Sequence, residues 1–181
     1  IWDAHKMLRV PALCTAVLFK NQEQMWNSFH QKGSYVFHEN EVIGMDSMPF
    51  TVECTKSALG TKLFWSFALE GESAMVKFIE NSFQQALDLY AILNANQNFY
   101  CPYPPQSNIL CFQYKPDQID DQQQLALRYE LINSGEFYIT SCVIHDKRYL
   151  RTVLMNPLSS SEDYYTLVKA IEKCAAKLFN T

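Results

Sequence analysis

At 181 residues the chain has room for one ordinary domain or two small ones, and 48% apolar residues are enough for a packed core. Fifteen basic residues stand against 19 acidic ones, for a net charge of −4 with no basic block, which argues against nucleic acid or an anionic membrane as partner. No apolar run approaches the roughly 20 residues that a membrane-spanning helix needs. The six cysteines, at positions 14, 54, 101, 111, 142 and 174, are widely spaced in apolar surroundings. They read as reduced core thiols of a cytoplasmic protein, not as disulfides or zinc ligands. His30, His38 and His145 lack ligand-like spacing, so no metal is expected.

The chain opens on Ile1-Trp2, a polar turn at Asp3-Ala4 that the Asp3 side chain is expected to cap, and the pair His5-Lys6. Without an initiator methionine or a signal peptide, this start looks like the middle of a longer protein. Pro11 to Lys20 is apolar, with small and β-branched residues, and suits a strand buried on both faces. Gln22 to Gln31 carries Met25, Trp26 and Phe29 on one helical face, with Gly33 as a stop. Ser34 to Phe37 reads as a brief extended segment, and His38 to Thr51 as a long loop. Helical spacing resumes from Cys54 to Leu69 and ends at Gly71; a second helix, capped by Ser73, runs to about Ala95. Trp26, Phe64 and Trp65 are expected in the core.

Beyond Phe99 the texture changes. Pro102, Pro104 and Pro105 mark an extended linker. A strand is predicted over Asn108–Tyr114, a helix over Asp120–Ser134 closed by Gly135, and strands over Phe137–Val143 and Tyr149–Met155 around a turn at His145–Arg148. Asn156-Pro157 reads as the turn ending the last strand, and Ser160 to Phe179 as a final amphipathic helix capped by Ser160 or Ser161. This order suits an antiparallel sheet with helices on one face, an α+β unit.

Two side chains stand out chemically. Lys6 has a primary amine on a long stem, and such an amine is a nucleophile toward a carbonyl carbon once neutral. Arg151 lies inside the apolar run Leu150–Met155, where a guanidinium needs a partner.

The segment His5-Lys6 followed by Cys14-Thr15-Ala16 resembles the cofactor-lysine segment of the group II pyridoxal-phosphate-dependent amino-acid decarboxylases. The resemblance continues in order through Glu53–Lys56, Asn108–Phe112, Gly135–Tyr138 and Tyr149–Pro157, and is greatest toward the bacterial 2,4-diaminobutyrate and glutamate decarboxylases. It implies the aspartate-aminotransferase-like α/β fold (fold type I). Residues 1–72 would be the tail of the large cofactor domain, and 73–181 the connecting long helix and small α+β C-terminal domain. It also implies pyridoxal 5′-phosphate bound covalently by Lys6, His5 against the cofactor phosphate, and a homodimer with its site at the interface. Arg151 would bind a substrate carboxylate or, equally, serve a structural salt bridge.

Two departures from the family pattern bear on function. The family's other cofactor contacts precede the lysine and are not in this chain. The loop tyrosine that protonates the substrate carbon has no counterpart: the matching stretch is Gly44-Met45-Asp46-Ser47, and there is no tyrosine between Tyr35 and Tyr90. The expectation is an amino-acid decarboxylase of 2,4-diaminobutyrate or glutamate type. The alternatives are a decarboxylating oxidative deaminase that forms an aldehyde, and a fragment without activity of its own.

Overall fold

Two short strands open the chain, and each is limited by how little backbone it finds to pair with. In the computed structural model, which describes residues 1–31, 48–50, 53, 55 and 57–179, β1 (Trp2–Asp3) pairs antiparallel with β2 (Thr15–Ala16). Between them lies the single-turn helix α1 (Ala4–Met7). The long strand expected over Pro11–Lys20 is therefore reduced to two residues, and Leu13 and Leu18 are 69% and 86% exposed. Apolar composition alone does not hold a strand; a partner for its backbone groups does.

Helix α2 (Gln22–Phe29) starts where Asn21 accepts a hydrogen bond from the Glu23 N–H at 2.8 Å. A 3₁₀ turn covers Met48–Phe50, and α3 (Leu59–Glu70) follows. The expected extended segment at Ser34–Phe37 and most of the loop from His38 lie outside the described residues. Helix α3 begins later than the apolar spacing suggested and buries none of its residues. Phe64 and Trp65, expected in the core, are 62% and 55% exposed. Gly71 ends α3 at φ 79° and ψ 161°, a conformation essentially reserved for glycine, and donates its N–H to the Phe67 carbonyl at 2.9 Å.

The chain divides into two compact units, Ile1–Gly71 and Glu72–Thr181. The second starts with the 23-residue helix α4 (Glu72–Asn94), which sets off directly from Gly71, with Ser73 inside the helix and not at its cap. Four strands then form one antiparallel sheet in the order β3-β4-β6-β5: β3 (Phe99–Tyr100), β4 (Ile109–Tyr114), β5 (Thr140–Ile144) and β6 (Lys147–Val153). Between β4 and β5 runs α5 (Asp121–Asn133), opened by a capping box between Asp120 and Gln123. The chain closes with α6 (Ser161–Phe179), where Ser160 and Asp163 bond each other's backbone and side chains.

The β5–β6 hairpin turns on His145 and Asp146, at φ 47° and 60°. Positive φ at both central residues gives a two-residue loop whose twist matches the strands.

Period-two burial explains how the sheet packs. Leu110, Phe112, Tyr114 and Leu150 project into one cluster with Leu89 and Leu93 of α4, Leu127 and Leu131 of α5, and Leu167 and Ile171 of α6. Each fully buried leucine or isoleucine contributes about 1.5–3 kcal/mol from apolar burial. Alternate residues face the other way; of these Cys111 and Arg151 are half-buried, while Gln113 and Tyr149 are buried. Gln124 is fully buried in this core, and its amide accepts from the Tyr114 N–H at 3.2 Å and donates to the Tyr114 carbonyl at 2.6 Å. It thus satisfies backbone groups at the end of β4.

Candidate active site

The turn carrying His5 and Lys6 is built by its neighbours. Arg9 N–H bonds the Lys6 carbonyl at 3.1 Å and Val10 N–H bonds the Ala4 carbonyl at 3.2 Å, folding the chain back toward β2. Ala4, Leu8, Val10 and Cys14 are buried beneath it. His5 is tied to the Cys14 peptide: its Nδ1 lies 3.2 Å from that N–H and 3.0 Å from that carbonyl oxygen. Nε2 is left without a partner among the described residues. Helix α3 secures the same loop, Lys62 Nζ donating to the Ala12 carbonyl at 3.0 Å and Cys14 Sγ lying 3.6 Å from the Leu59 carbonyl oxygen.

Lys6 reaches outward, with its side chain 65% exposed, and its Nζ pairs with Asp3 at 2.5 Å. Asp3 is the residue before α1, yet its side chain makes no cap bond. The expectation that Asp3 caps this turn is therefore corrected: the carboxylate is taken up by Lys6 and by the Thr15 hydroxyl, which donates to it at 2.6 Å. Asp3 and Thr15 are register partners across the β1–β2 ladder, which places the hydroxyl opposite the acid. The Lys6 ammonium first, and then Thr15, hold the Asp3 carboxyl below the usual carboxylate range.

Arg151 belongs to the second unit. It sits in β6 between Cys111 of β4 and Thr140 of β5. Its Nη1 lies 3.5 Å from Thr140 Oγ1, and among the described residues no carboxylate is within ion-pair distance of it. A structural salt bridge, one of the two roles expected for Arg151, is thus absent among those residues. Arg151 borders a cleft of about 410 Å³ together with Phe137, Thr140, Asp163 and Tyr164. Asp163, the acid of that cleft, already accepts from Ser160 N–H and Oγ at 2.7 and 2.9 Å. Those bonds hold its carboxyl below the ordinary value.

Cys111 and Cys142 place their sulfurs 3.6 Å apart, and burial first, then the neighbouring thiol, pushes the Cys111 thiol up to about 12. Cys14, Cys101 and Cys174 are buried, as expected of core thiols, whereas Cys111 and Cys142 are half-buried. Gly44–Ser47, including Met45, lies outside the described residues.

Residues 1–115, which include the His5-Lys6 turn, match the family model described as the pyridoxal-dependent decarboxylase conserved domain. The chain belongs to that family of pyridoxal-dependent enzymes. It is 28% identical over 115 residues to an L-aspartate decarboxylase of Metarhizium robertsii, an alignment covering 62% of this chain and 23% of that protein. Among solved structures, mouse cysteine sulfinic acid decarboxylase in its apo form superposes on 98% of this chain and 39% of its own, with TM-score 0.78 and 18% identity. The decarboxylase domain of a Vibrio parahaemolyticus diaminobutyrate-pyruvate transaminase and L-2,4-diaminobutyrate decarboxylase covers 65% of this chain and 26% of its own, with TM-score 0.60 and 22% identity. These likenesses show the fold to be that of the family's C-terminal part. The chain spans less than two-fifths of the length of each of these proteins. No helix of the described residues is long and apolar enough to cross a membrane.

Proposed function

We propose that this chain is the C-terminal part of a decarboxylase acting on an acidic L-amino acid, with Lys6 as the residue that binds pyridoxal phosphate covalently. Residues 1–72 would complete the cofactor domain and 73–181 would form the small domain, the whole working as a homodimer. The observation that carries the reading is the Lys6 turn: a solvent-reaching primary amine beside an imidazole whose Nε2 has no partner among the described residues. This donor set fits the cofactor, Lys6 as its covalent anchor and His5 as a hydrogen-bond partner for its phosphate. When bound, the cofactor supplies an electron sink for the pair left as CO₂ departs.

Arg151 would bind the substrate. A guanidinium with a hydroxyl contact and no acidic partner among the described residues is suited to a carboxylate that arrives with the ligand. The distal carboxylate is the better candidate, since a strong clamp on the departing one would stabilise the ground state and oppose its loss. A distal ammonium would be repelled, which favours the acidic over the diaminobutyrate type. The similarity to an L-aspartate decarboxylase supports that choice.

Borohydride treatment of the loaded full-length protein should fix the cofactor to Lys6, and Lys6→Ala should abolish both that adduct and decarboxylation. Normal turnover of the variant would remove Lys6 from the chemistry. Arg151→Met should raise KM for an acidic substrate roughly ten- to a hundredfold, the worth of one charge-assisted contact, with the melting temperature little changed. A collapse of the melting temperature with KM unchanged would make Arg151 structural. Amine and aldehyde yields per CO₂ separate the decarboxylase from an aldehyde-forming enzyme.

A further inference from the structure

We propose that Asp3, braced by Thr15, is a positioning residue that latches Lys6 as an ion-paired ammonium until an aldehyde cofactor draws the amine away. The proposal rests on the reading of Lys6 given above. Three facts of geometry carry it. Lys6 Nζ and Asp3 Oδ2 are 2.5 Å apart, Asp3 standing just before α1 and Lys6 three residues on, within it. Thr15 Oγ1 donates to the other carboxylate oxygen at 2.6 Å. The Asp3–Thr15 register across β1 and β2 fixes the acid where the lysine stem comes down. The acid is therefore held from two sides, and the lysine, at 65% exposure, has no other partner among the described residues.

The remaining charged and titratable groups on the turn do not compete for the amine. His5 is engaged with the Cys14 peptide, Arg9 follows on the same turn, and Lys62 of α3 donates to the Ala12 carbonyl. The chemical consequence has a definite sign. Before Lys6 can bond to an aldehyde carbon, its nitrogen must leave Asp3 and release a proton to solvent. The C–N bond then forms and the carbonyl oxygen departs as water. A carboxylate paired to the ammonium opposes the first of these steps. Asp3 thus slows indiscriminate reaction of an exposed amine with free aldehydes.

The test uses the full-length protein freed of cofactor. Formaldehyde with cyanoborohydride, an uncharged aldehyde and a hydride source, methylates lysines, and mass spectrometry of the peptides reads Lys6 against the exposed Lys77 as internal reference. Asp3→Asn should raise the relative Lys6 rate about two- to fivefold, the range expected of an exposed ion pair. Raising salt from about 0.05 M to about 1 M, where the Debye length falls to roughly 3 Å, should speed Lys6 in the wild type but not in Asp3→Asn. Asp3→Glu should keep the slow, salt-sensitive behaviour, and Thr15→Val should lose part of it. A merely structural role for Asp3 would not produce that salt dependence. Equal rates and equal salt responses in wild type and Asp3→Asn would overturn the latch. That failure is distinct from failure of the functional reading, in which borohydride would fix pyridoxal phosphate elsewhere than Lys6 in the full-length protein.

Discussion

The two units bury their apolar residues to very different degrees. The buried hydrophobic cluster, from Ala86 to Ala175, belongs wholly to the second unit. Among the described residues of the first unit, Ala4, Leu8, Val10 and Cys14 are buried at the Lys6 turn and Pro49 in the 3₁₀ turn, while Phe64, Trp65 and Leu69 of α3 stand exposed. The difference is one of partners. In the second unit a four-stranded sheet offers a face to three helices, and each apolar stripe finds a counterpart. In the first, two two-residue strands offer almost none. The turn carrying Lys6 is braced by the hydrogen bonds of His5 to Cys14, of Thr15 to Asp3 and of Lys62 to Ala12, together with the small buried set beneath it.

That contrast can be broken from the side of the second unit. Leu150→Ala should have the largest effect, because Leu150 is fully buried between β4 and β5. A loss of about 2–5 kcal/mol is expected from the transfer and cavity terms together. Denaturant melts of the wild type and variant would measure it, and a loss under 1 kcal/mol would show the cluster to be poorly packed.

Gln124→Ala comes next. It would leave the Tyr114 N–H and carbonyl without their buried partner, at about 1–3 kcal/mol for each group left unsatisfied. Hydrogen exchange at the Tyr114 amide should accelerate in the variant; unchanged protection would mean that another group or water takes over.

The last effect is one of pH. Burial raises the Cys101 thiol to about 11, the Cys111 thiol to about 12 and the Tyr149 phenol to about 12. Each folded value lies above the ordinary one, so the neutral form is favoured in the fold. The stabilisation is complete below about pH 9 and declines as pH rises toward 12, because the unfolded chain loses these protons first. Denaturation midpoints measured from pH 8 to pH 11 should hold to about pH 9 and fall above it. A flat profile would mean that these groups titrate alike in both states.

Much of the second unit was legible in the amino-acid order because its signals are local. Apolar spacings of three and four marked α4, Gly135 marked the end of α5, Ser160 or Ser161 marked the start of α6, and His145–Arg148 marked the hairpin turn, each to within a few residues. Strand boundaries were displaced, β5 starting at Thr140 and not Phe137, since pairing and not composition sets where a ladder begins. The same cause reduced Pro11–Lys20 to two paired residues.

By itself the sequence determined the family, through blocks from His5-Lys6 onward, and with the family the fold and the cofactor chemistry. It also nominated Lys6, through the resemblance of the His5-Lys6 block to the family's cofactor-lysine segment, and Arg151, as a cation in an apolar run. Only the tertiary structure decided what these groups meet. It gave Lys6 the Asp3 carboxylate and Asp3 the Thr15 hydroxyl, and it gave Arg151 a hydroxyl but no acid among the described residues. Thr15 is twelve positions from Asp3, and Thr140 eleven from Arg151. Those pairings follow from strand register, and register is fixed when whole ladders pair and bury a face, beyond the reach of any local spacing.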